Sequence, residues 1–148
     1  MVLPDVNVLV YAHRPEAADH HRYRGWLDEV LRSDAPFGVA DAVLTGFVRI
    51  VTHPRIFKTP TPLDIALAFA AVLRDRPNAV PVAPADRHWD IFVRLCQTAG
   101  AKGNLVADAY LAALAIESGC EWVTTDRDYA RFDGLRWRHP LSAARTGL

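Results

Sequence analysis

The chain has 148 residues, of which 51% are apolar, and its 17 acidic residues balance its 17 basic ones. This length and apolar content suit one domain, 1–148, that buries a core without disulfides or structural metals. No terminal block concentrates one charge sign, so no basic arm for a polyanion is expected, and Asp5 in the first apolar run argues against a signal peptide or a membrane span. We expect a cytoplasmic protein with reduced cysteines, since Cys96 and Cys120 lack the paired spacing of a metal site.

Short apolar runs alternate with amphipathic segments along the chain. The expected strands are a first one ending near Asp5, followed by "FGVA", "AVPV", "EWVTT" and "LRW". The segment from Asn7 onward is either extended or helical. Further helices are expected from Asp19 through "HHRYRGWLDEVLR", over 42–51, from Thr61-Pro62 to about Arg74, from Pro84 and Asp86 to Gly100, and from Asn104 to Gly119. This alternation predicts an α/β fold, a short and mostly parallel sheet flanked by helices on both faces.

Two of the predicted helix starts carry cap signals. Thr61 is a suitable cap with Pro62 at the first helical position, and Asn104 is a suitable cap for the last helix, which Gly119 should end. That last helix is apolar nearly all round, so it should be central and buried. Asp108 is therefore unusual in it, because it lies past the first-turn amides that a capping carboxylate satisfies.

Several acids stand where a ligand would be expected. Asp5 and Asp126 each follow a predicted strand, and open parallel sheets bind ligands beyond the carboxyl ends of their strands. Singly, Asp5, Asp126 and Asp128 suit turns, and Asp108 gains a little from the helix dipole. Together, converging carboxylates repel one another and require a cation. Oxygen ligands without cysteine or a histidine pair favour Mg²⁺ or Mn²⁺, ions that assist phosphodiester hydrolysis.

Three blocks, "LPDVNVLVYA", "GNLVADAYLAALAIESG" and "EWVTTDRDYARF", resemble the PIN-domain ribonucleases, in particular the VapC-type toxins of bacterial toxin–antitoxin pairs. The resemblance covers nearly the whole chain. It implies a PIN-like three-layer α/β/α fold, a Mg²⁺-dependent endoribonuclease for structured RNA with Mn²⁺ as a substitute, and a small antitoxin partner. The residues it singles out are the catalytic acids Asp5, Asp108, Asp126 and Asp128, the metal ligands Asp5, Asp108 and Asp126 among them, and the substrate-binding Asn7 and Arg49.

The chain departs from the family pattern at one position. A glutamate is usual before the apolar-apolar-arginine stretch of the second helical block, and here Gly46 stands in its place, with Arg49 following as expected. Asp41 is the nearest acid upstream, but its spacing points it elsewhere on the helix, so the role does not pass to it. Arg49 could pair with an active-site carboxylate or hold a phosphate.

Two other interpretations of the sequence stay open. One is a phosphotransfer enzyme of haloacid-dehalogenase type, in which an aspartate after the first strand attacks phosphate, although Asn7 replaces the second acid of that class. The other is a catalytically degenerate module that binds RNA or a partner, because Gly46 removes an acid. We also expect a homodimer. Because the net charge is zero, we expect RNA to be recognised through a local arginine patch.

Overall fold

A five-stranded sheet in which every pairing is parallel forms the centre of the protein. The computed structural model describes residues 1–142. The strands lie in the order β3-β2-β1-β4-β5, so the first strand is central. Their bounds are β1 Val2–Pro4, β2 Phe37–Val39, β3 Ala79–Pro81, β4 Glu121–Val123 and β5 Trp137–Arg138. The predicted α/β class is confirmed.

Six α-helices connect the strands of this sheet. They are α1 Val6–His13, α2 His20–Arg32, α3 Asp41–Val51, α4 Leu63–Arg74, α5 His88–Ala99 and α6 Asn104–Ser118, and a short 3₁₀-helix follows β4 at Arg127–Arg131. Helix α1 packs against α2 and α3, α3 packs against α4, and α5 packs on α6. Because parallel crossovers are right-handed, the two groups cover opposite faces of the sheet.

The core lies between the central strands and both helical layers. Leu3, Phe37 and Trp122 point from the strands into it with at most 1% of their surface exposed. In α6, Ala112 to Ala115 are buried, whereas the residues at its start are partly or fully exposed. The prediction of a buried α6 thus holds for its second half, and the first half, which carries Asp108, faces the edge where the site forms.

Thr61 does not cap α4 as predicted. Pro62 occupies the cap position without a side-chain bond, and Leu63 is the first helical residue. The buried Thr61 hydroxyl instead lies 3.0 Å from His13 Nε2 and accepts a hydrogen bond from Arg14 at 3.1 Å. These contacts fasten the carboxyl end of α1 to the loop before α4, and a tertiary partner has therefore replaced the local cap.

Two other predicted helix starts also differ from the structure. Asn104 is the first residue of α6 and not its cap, because Gly103 precedes it at φ 60° and ψ −131°, a conformation that other residues rarely adopt. α5 begins at His88, later than Pro84 and Asp86. The carboxylate of Glu117 accepts hydrogen bonds from the backbone N–H groups of Ala85 and Arg87 at 2.8 Å each, which holds that segment outside the helix.

Two further predictions concern membrane-spanning helices and the two cysteines. No helix in the described part of the chain is long and apolar enough to cross a membrane. Cys96 and Cys120 are both free thiols, as predicted. Cys120 is buried next to the central sheet and Cys96 is half-buried on α5, so neither belongs to a shared site.

Candidate active site

Asp5 joins the central strand to the first helix. It directly follows β1, and its own N–H donates to the Val123 carbonyl of the neighbouring strand β4 at 2.8 Å. Its side chain is 4% exposed and caps α1, with Oδ1 accepting from the Val6 N–H at 2.6 Å. The second oxygen, Oδ2, accepts from the Thr124 hydroxyl at 2.7 Å. Both carboxylate oxygens are therefore positioned by the fold.

Thr124 links Asp5 to the acids after β4. This fully buried hydroxyl donates to Asp5 and accepts from the backbone N–H of Asp126 at 3.0 Å. Asp126 in turn caps the following 3₁₀-helix, because its Oδ1 accepts from the Asp128 N–H at 2.9 Å. A continuous chain of hydrogen bonds thus joins the carboxyl ends of β1 and β4 and brings Asp5 and Asp126 into one group. Asp128 lies at its exposed margin.

Asp108 approaches the same group from α6. It is half-buried, and its Oδ1 accepts a hydrogen bond from the Tyr129 hydroxyl at 3.2 Å. Tyr129 is 2% exposed and packs between Trp122 and Phe132, with ring centroids 5.4 and 5.8 Å away. The tyrosine ring is therefore rigid, and its hydroxyl holds one oxygen of Asp108 in place.

The electrostatics of the site oppose the ionised form of these acids. Burial raises the pKa of Asp5 from its ordinary value of 3.8 to about 6; the bonds from Thr124 and Val6 lower it, and the charges of Asp108 and Asp126 raise it again. Burial also raises the pKa of Asp108, against the hydrogen bond from Tyr129 and together with the charges of Asp126 and Asp128. The pKa of Tyr129 rises through burial and the nearby carboxylates, so it stays a donor. The group is short of positive charge.

The donor chemistry of the site fits a hard divalent cation. Its free ligand atoms are all carboxylate oxygens, the type that Mg²⁺ prefers, and the raised pKa values mark carboxylates whose charge lacks a partner. Within residues 1–142, no three Asp, Glu, His or Cys side chains are gathered closely enough to form a cage around an ion. Mg²⁺ needs only one or two direct carboxylates, because it keeps several of its waters. The fit is thus to a partly hydrated ion.

Gly46, which stands where the family pattern has an acid, is crowded by Val6. A Cβ atom on Gly46 would lie 3.0 Å from Cγ2 of Val6, the residue after Asp5. The side chain of Val6 therefore fills the space beside Asp5 into which a residue at position 46 would enter. The exposed Asp41 is paired with Arg74 at 2.9 Å and stays away from the site, as expected.

The two predicted substrate-binding residues lie on α1 and α3. Asn7 is half-buried in the first turn of α1, and Arg49 is exposed on α3, one turn beyond Gly46. Neither side chain makes a hydrogen bond or an ion pair with the described residues. The predicted pairing of Arg49 with an active-site carboxylate is therefore not seen within residues 1–142, and its contact with phosphate stays a prediction.

Thr124 and Tyr129 belong to the site but were not singled out in the sequence. The signal for Thr124 is a hydroxyl residue between a buried strand and Asp126, and the signal for Tyr129 is an aromatic residue three positions after that acid. Both residue types are common in strands and cores, so the signal becomes specific only when the fold supplies Asp5 and Asp108 as acceptors.

Comparison with known proteins places the chain in a family. The PIN domain family model matches residues 2–135. Ribonuclease VapC43 of Mycobacterium tuberculosis is 48% identical over 142 residues, which cover 95% of this chain and 96% of that protein. Ribonuclease VapC25 of the same species is 41% identical over 140 residues, 95% of this chain and 99% of its own length. The chain belongs to the PIN domain family, which confirms the resemblance seen in its three blocks.

A solved structure shares the fold. The chain is similar to one in the crystal structure of VapBC2 from Rickettsia felis bound to a DNA fragment from its promoter, with a TM-score of 0.67 and 17% identity over 94% of this chain and 98% of that chain. The three-layer α/β/α arrangement expected from the family is therefore confirmed. Membership of the PIN family leaves the haloacid-dehalogenase interpretation without support.

Proposed function

We propose that this protein is the ribonuclease toxin of a VapC-type toxin–antitoxin pair and that it hydrolyses phosphodiester bonds in structured RNA with the help of Mg²⁺. The observation that carries the proposal is the hydrogen-bonded path from Asp5 through Thr124 to Asp126, with Asp108 close enough for its charge to raise the pKa of Asp5. Relatives named as ribonucleases, 48% and 41% identical over nearly the full chain, support the activity.

Each acid of the group has a separate part in this proposal. Asp5, Asp108 and Asp126 hold the metal ion, directly or through its waters. Asp128, at the exposed margin, orients the attacking water, and Asn7 and Arg49 contact the substrate. When bound, Mg²⁺ lowers the pKa of a bound water and stabilises charge on the phosphate oxygens, and Mn²⁺ serves as a substitute. The raised pKa of Asp5 means that a cation is required to hold this carboxylate in its ionised form at low pH.

A small antitoxin is the proposed protein partner. Support comes from the fold shared with a chain of the VapBC2 complex and from relatives that carry the VapC name. A homodimer remains a prediction, which light scattering of the purified chain would test. Co-expression with the antitoxin from the same operon, followed by co-purification, would test the partnership, and a chain that stays alone would count against it.

The decisive test is cleavage of a mixed pool of structured RNAs by the purified chain. Reactions with Mg²⁺, with Mn²⁺ and with chelator are compared with those of the Asp5→Asn variant. Metal-dependent cutting that disappears in the variant is the expected result. Asp34→Asn, the same exchange at an exposed bend, is the matched control and should cut like the natural protein. Cutting that survives both chelator and Asp5→Asn would overturn the proposal.

One specific observation favours a second function. Gly46 lacks the acid of the family pattern and Val6 crowds the place where it would stand, as expected of a degenerate module that binds RNA without cutting. Such a protein would bind the RNA pool in the presence of Mg²⁺ but leave it intact, with a correctly folded chain and bound Mn²⁺. We place it second because Asp5, Asp108 and Asp126 are all present and their carboxylates accept hydrogen bonds that orient them.

A further inference from the structure

A basic cleft of about 1090 Å³ lies between the start of α2, the segment that follows β4, and β5 with the residues on either side of it. Four arginines line it, and Asp19 is the one acid among the residues of 1–142 on its walls. The arginines are Arg22, Arg127, Arg136 and Arg138. In a chain whose net charge is zero, this cleft concentrates positive charge at one place, which is the local patch that the sequence could only predict.

The cleft and the acid group share one segment of the chain. Thr124 bonds to Asp5, whereas the next residue, Thr125, lines the cleft, as does Arg127 on the far side of Asp126. The cleft begins next to the carboxyl end of β4, at Thr125, and extends along β5. Asp126 thus stands in the chain between two residues of the cleft wall, which makes the acid group and the cleft neighbours.

Two of the four arginines make no hydrogen bond or short ion pair with residues 1–142, so their whole guanidinium groups are available to an anion. Arg138 is bound to Glu121 at 2.6 Å, and Arg136 donates to the Gly119 carbonyl at 2.8 Å. The other two are exposed: Arg22 has only a 4.0 Å contact with Asp19, and Arg127 makes no ion pair or hydrogen bond with the residues that the structure describes. Guanidinium groups bind phosphate well, because their planar fork matches two of its oxygens.

We infer that this cleft binds the RNA strand leading away from the scissile phosphate, with Arg22 and Arg127 on its phosphates. The inference rests on the proposed ribonuclease function, for which it names a subsite. The volume exceeds the roughly 300–1000 Å³ that suffice for a drug-sized ligand, so there is room for more than one nucleotide. Half-buried Trp137 adds aromatic surface on which a base can pack.

The test is RNA binding in chelator, where no cutting occurs. The probe is a fluorescently labelled, short, single-stranded RNA of random sequence, titrated at several salt concentrations. The Arg22→Gln/Arg127→Gln variant should bind about tenfold more weakly at low salt, and its slope of log affinity against log salt should fall by about 1.4, or about 0.7 for each lost phosphate contact. The matched control is Arg87→Gln/Arg94→Gln, which removes two exposed arginines from the opposite layer.

A second variant separates charge from fold. Arg22→Lys/Arg127→Lys keeps both positive charges and should recover most of the affinity and of the salt slope, since lysine also binds phosphate as a point charge. Binding by the glutamine variant with the affinity and slope of the natural protein would overturn the cleft as the RNA site. Failure of the nuclease proposal would give a different result: the natural protein would show no Mg²⁺-dependent cleavage, while its RNA binding would still depend on Arg22 and Arg127.

Discussion

A Cβ atom on Gly46 would lie 3.0 Å from Cγ2 of Val6, so the residue that follows the first acid crowds the position of the missing one and would have to shift to admit a side chain there. Val6 is β-branched and has little freedom at χ1 to move away. Gly46→Glu should therefore overpack the contact at a cost of about 1–3 kcal/mol, part of which the better helix propensity of glutamate offsets. The double variant Gly46→Glu/Val6→Ala should be more stable, by about 1 kcal/mol or more, than the sum of the two single effects predicts.

Urea denaturation of the four proteins of this double-mutant cycle measures the coupling. The matched control is Gly25→Glu in α2, where a Cβ meets nothing within 4 Å, so that substitution should stabilise the protein by up to about 1 kcal/mol. Equal effects of glutamate at positions 25 and 46 would show that Val6 does not restrict the site.

Asp5 makes the metal-free protein less stable as pH rises. Its pKa of about 6 in the folded chain exceeds the ordinary 3.8, so between these values the folded state binds more protons than the unfolded state. The free energy of unfolding therefore falls as pH rises from about 4 to 6 and stays low above that range. Asp5→Asn should remove this loss and stabilise the protein at pH 7 by up to roughly 3 kcal/mol.

Thermal denaturation in chelator between pH 4 and pH 8 measures this effect. The curves for the natural protein and for Asp5→Asn should meet near pH 4 and separate above it, whereas Asp34→Asn should show no such separation. An Asp5→Asn variant that unfolds at neutral pH would mean that the carboxylate acts chiefly as a structural cap of α1.

The Tyr129 hydroxyl should tune the pH dependence of activity through Asp108. Its hydrogen bond lowers the pKa of Asp108, so Tyr129→Phe should raise that pKa and move the acidic limb of the cleavage profile to higher pH. The variant should also lose about 1 kcal/mol of stability with the bond. Tyr11→Phe makes the same exchange at a hydroxyl without a bonded partner among the described residues. Identical pH profiles for both variants would remove Tyr129 from the site.

Thr124 should contribute to cleavage and stability through its hydroxyl group and not through the size of its side chain. Thr124→Val leaves the buried Asp5 Oδ2 and the partly buried Asp126 N–H without their partner, which should cost about 1–3 kcal/mol and most of the cleavage activity. Thr124→Ser keeps both bonds and should retain activity. Cleavage rates with saturating Mg²⁺ distinguish the two, and an active valine variant would contradict the role.

The acids of the site could be predicted because strand ends and a polar residue in an apolar helix are visible locally. Asp5, Asp108 and Asp126 all carry such signals. The caps could not be predicted, since Thr61 is bound by His13 and Arg14, 48 and 47 residues away. The crowding of position 46 could not be predicted either, because it comes from Val6, which lies on a different helix.

The cleft was beyond sequence reasoning for a related reason. Its walls come from three separate stretches, near Arg22, Arg127 and Trp137, and each contributes only ordinary surface residues. An arginine patch could be expected from zero net charge, but its position depends on how α2 packs beside β5. Long-range pairing of segments, and not the residue types themselves, creates this feature.

The strand order has a consequence for the synthesis of the protein. β1 is the first strand to be made, yet its full partner β4, paired residue for residue at Val2, Leu3 and Pro4, is made near the end of the chain. Until then Asp5 lacks both the Val123 carbonyl and the Thr124 hydroxyl, and Asp126 does not exist. An unfinished chain on the ribosome is therefore unable to assemble the group of Asp5, Thr124 and Asp126, which can form only after β4 and the residues that follow it have been made.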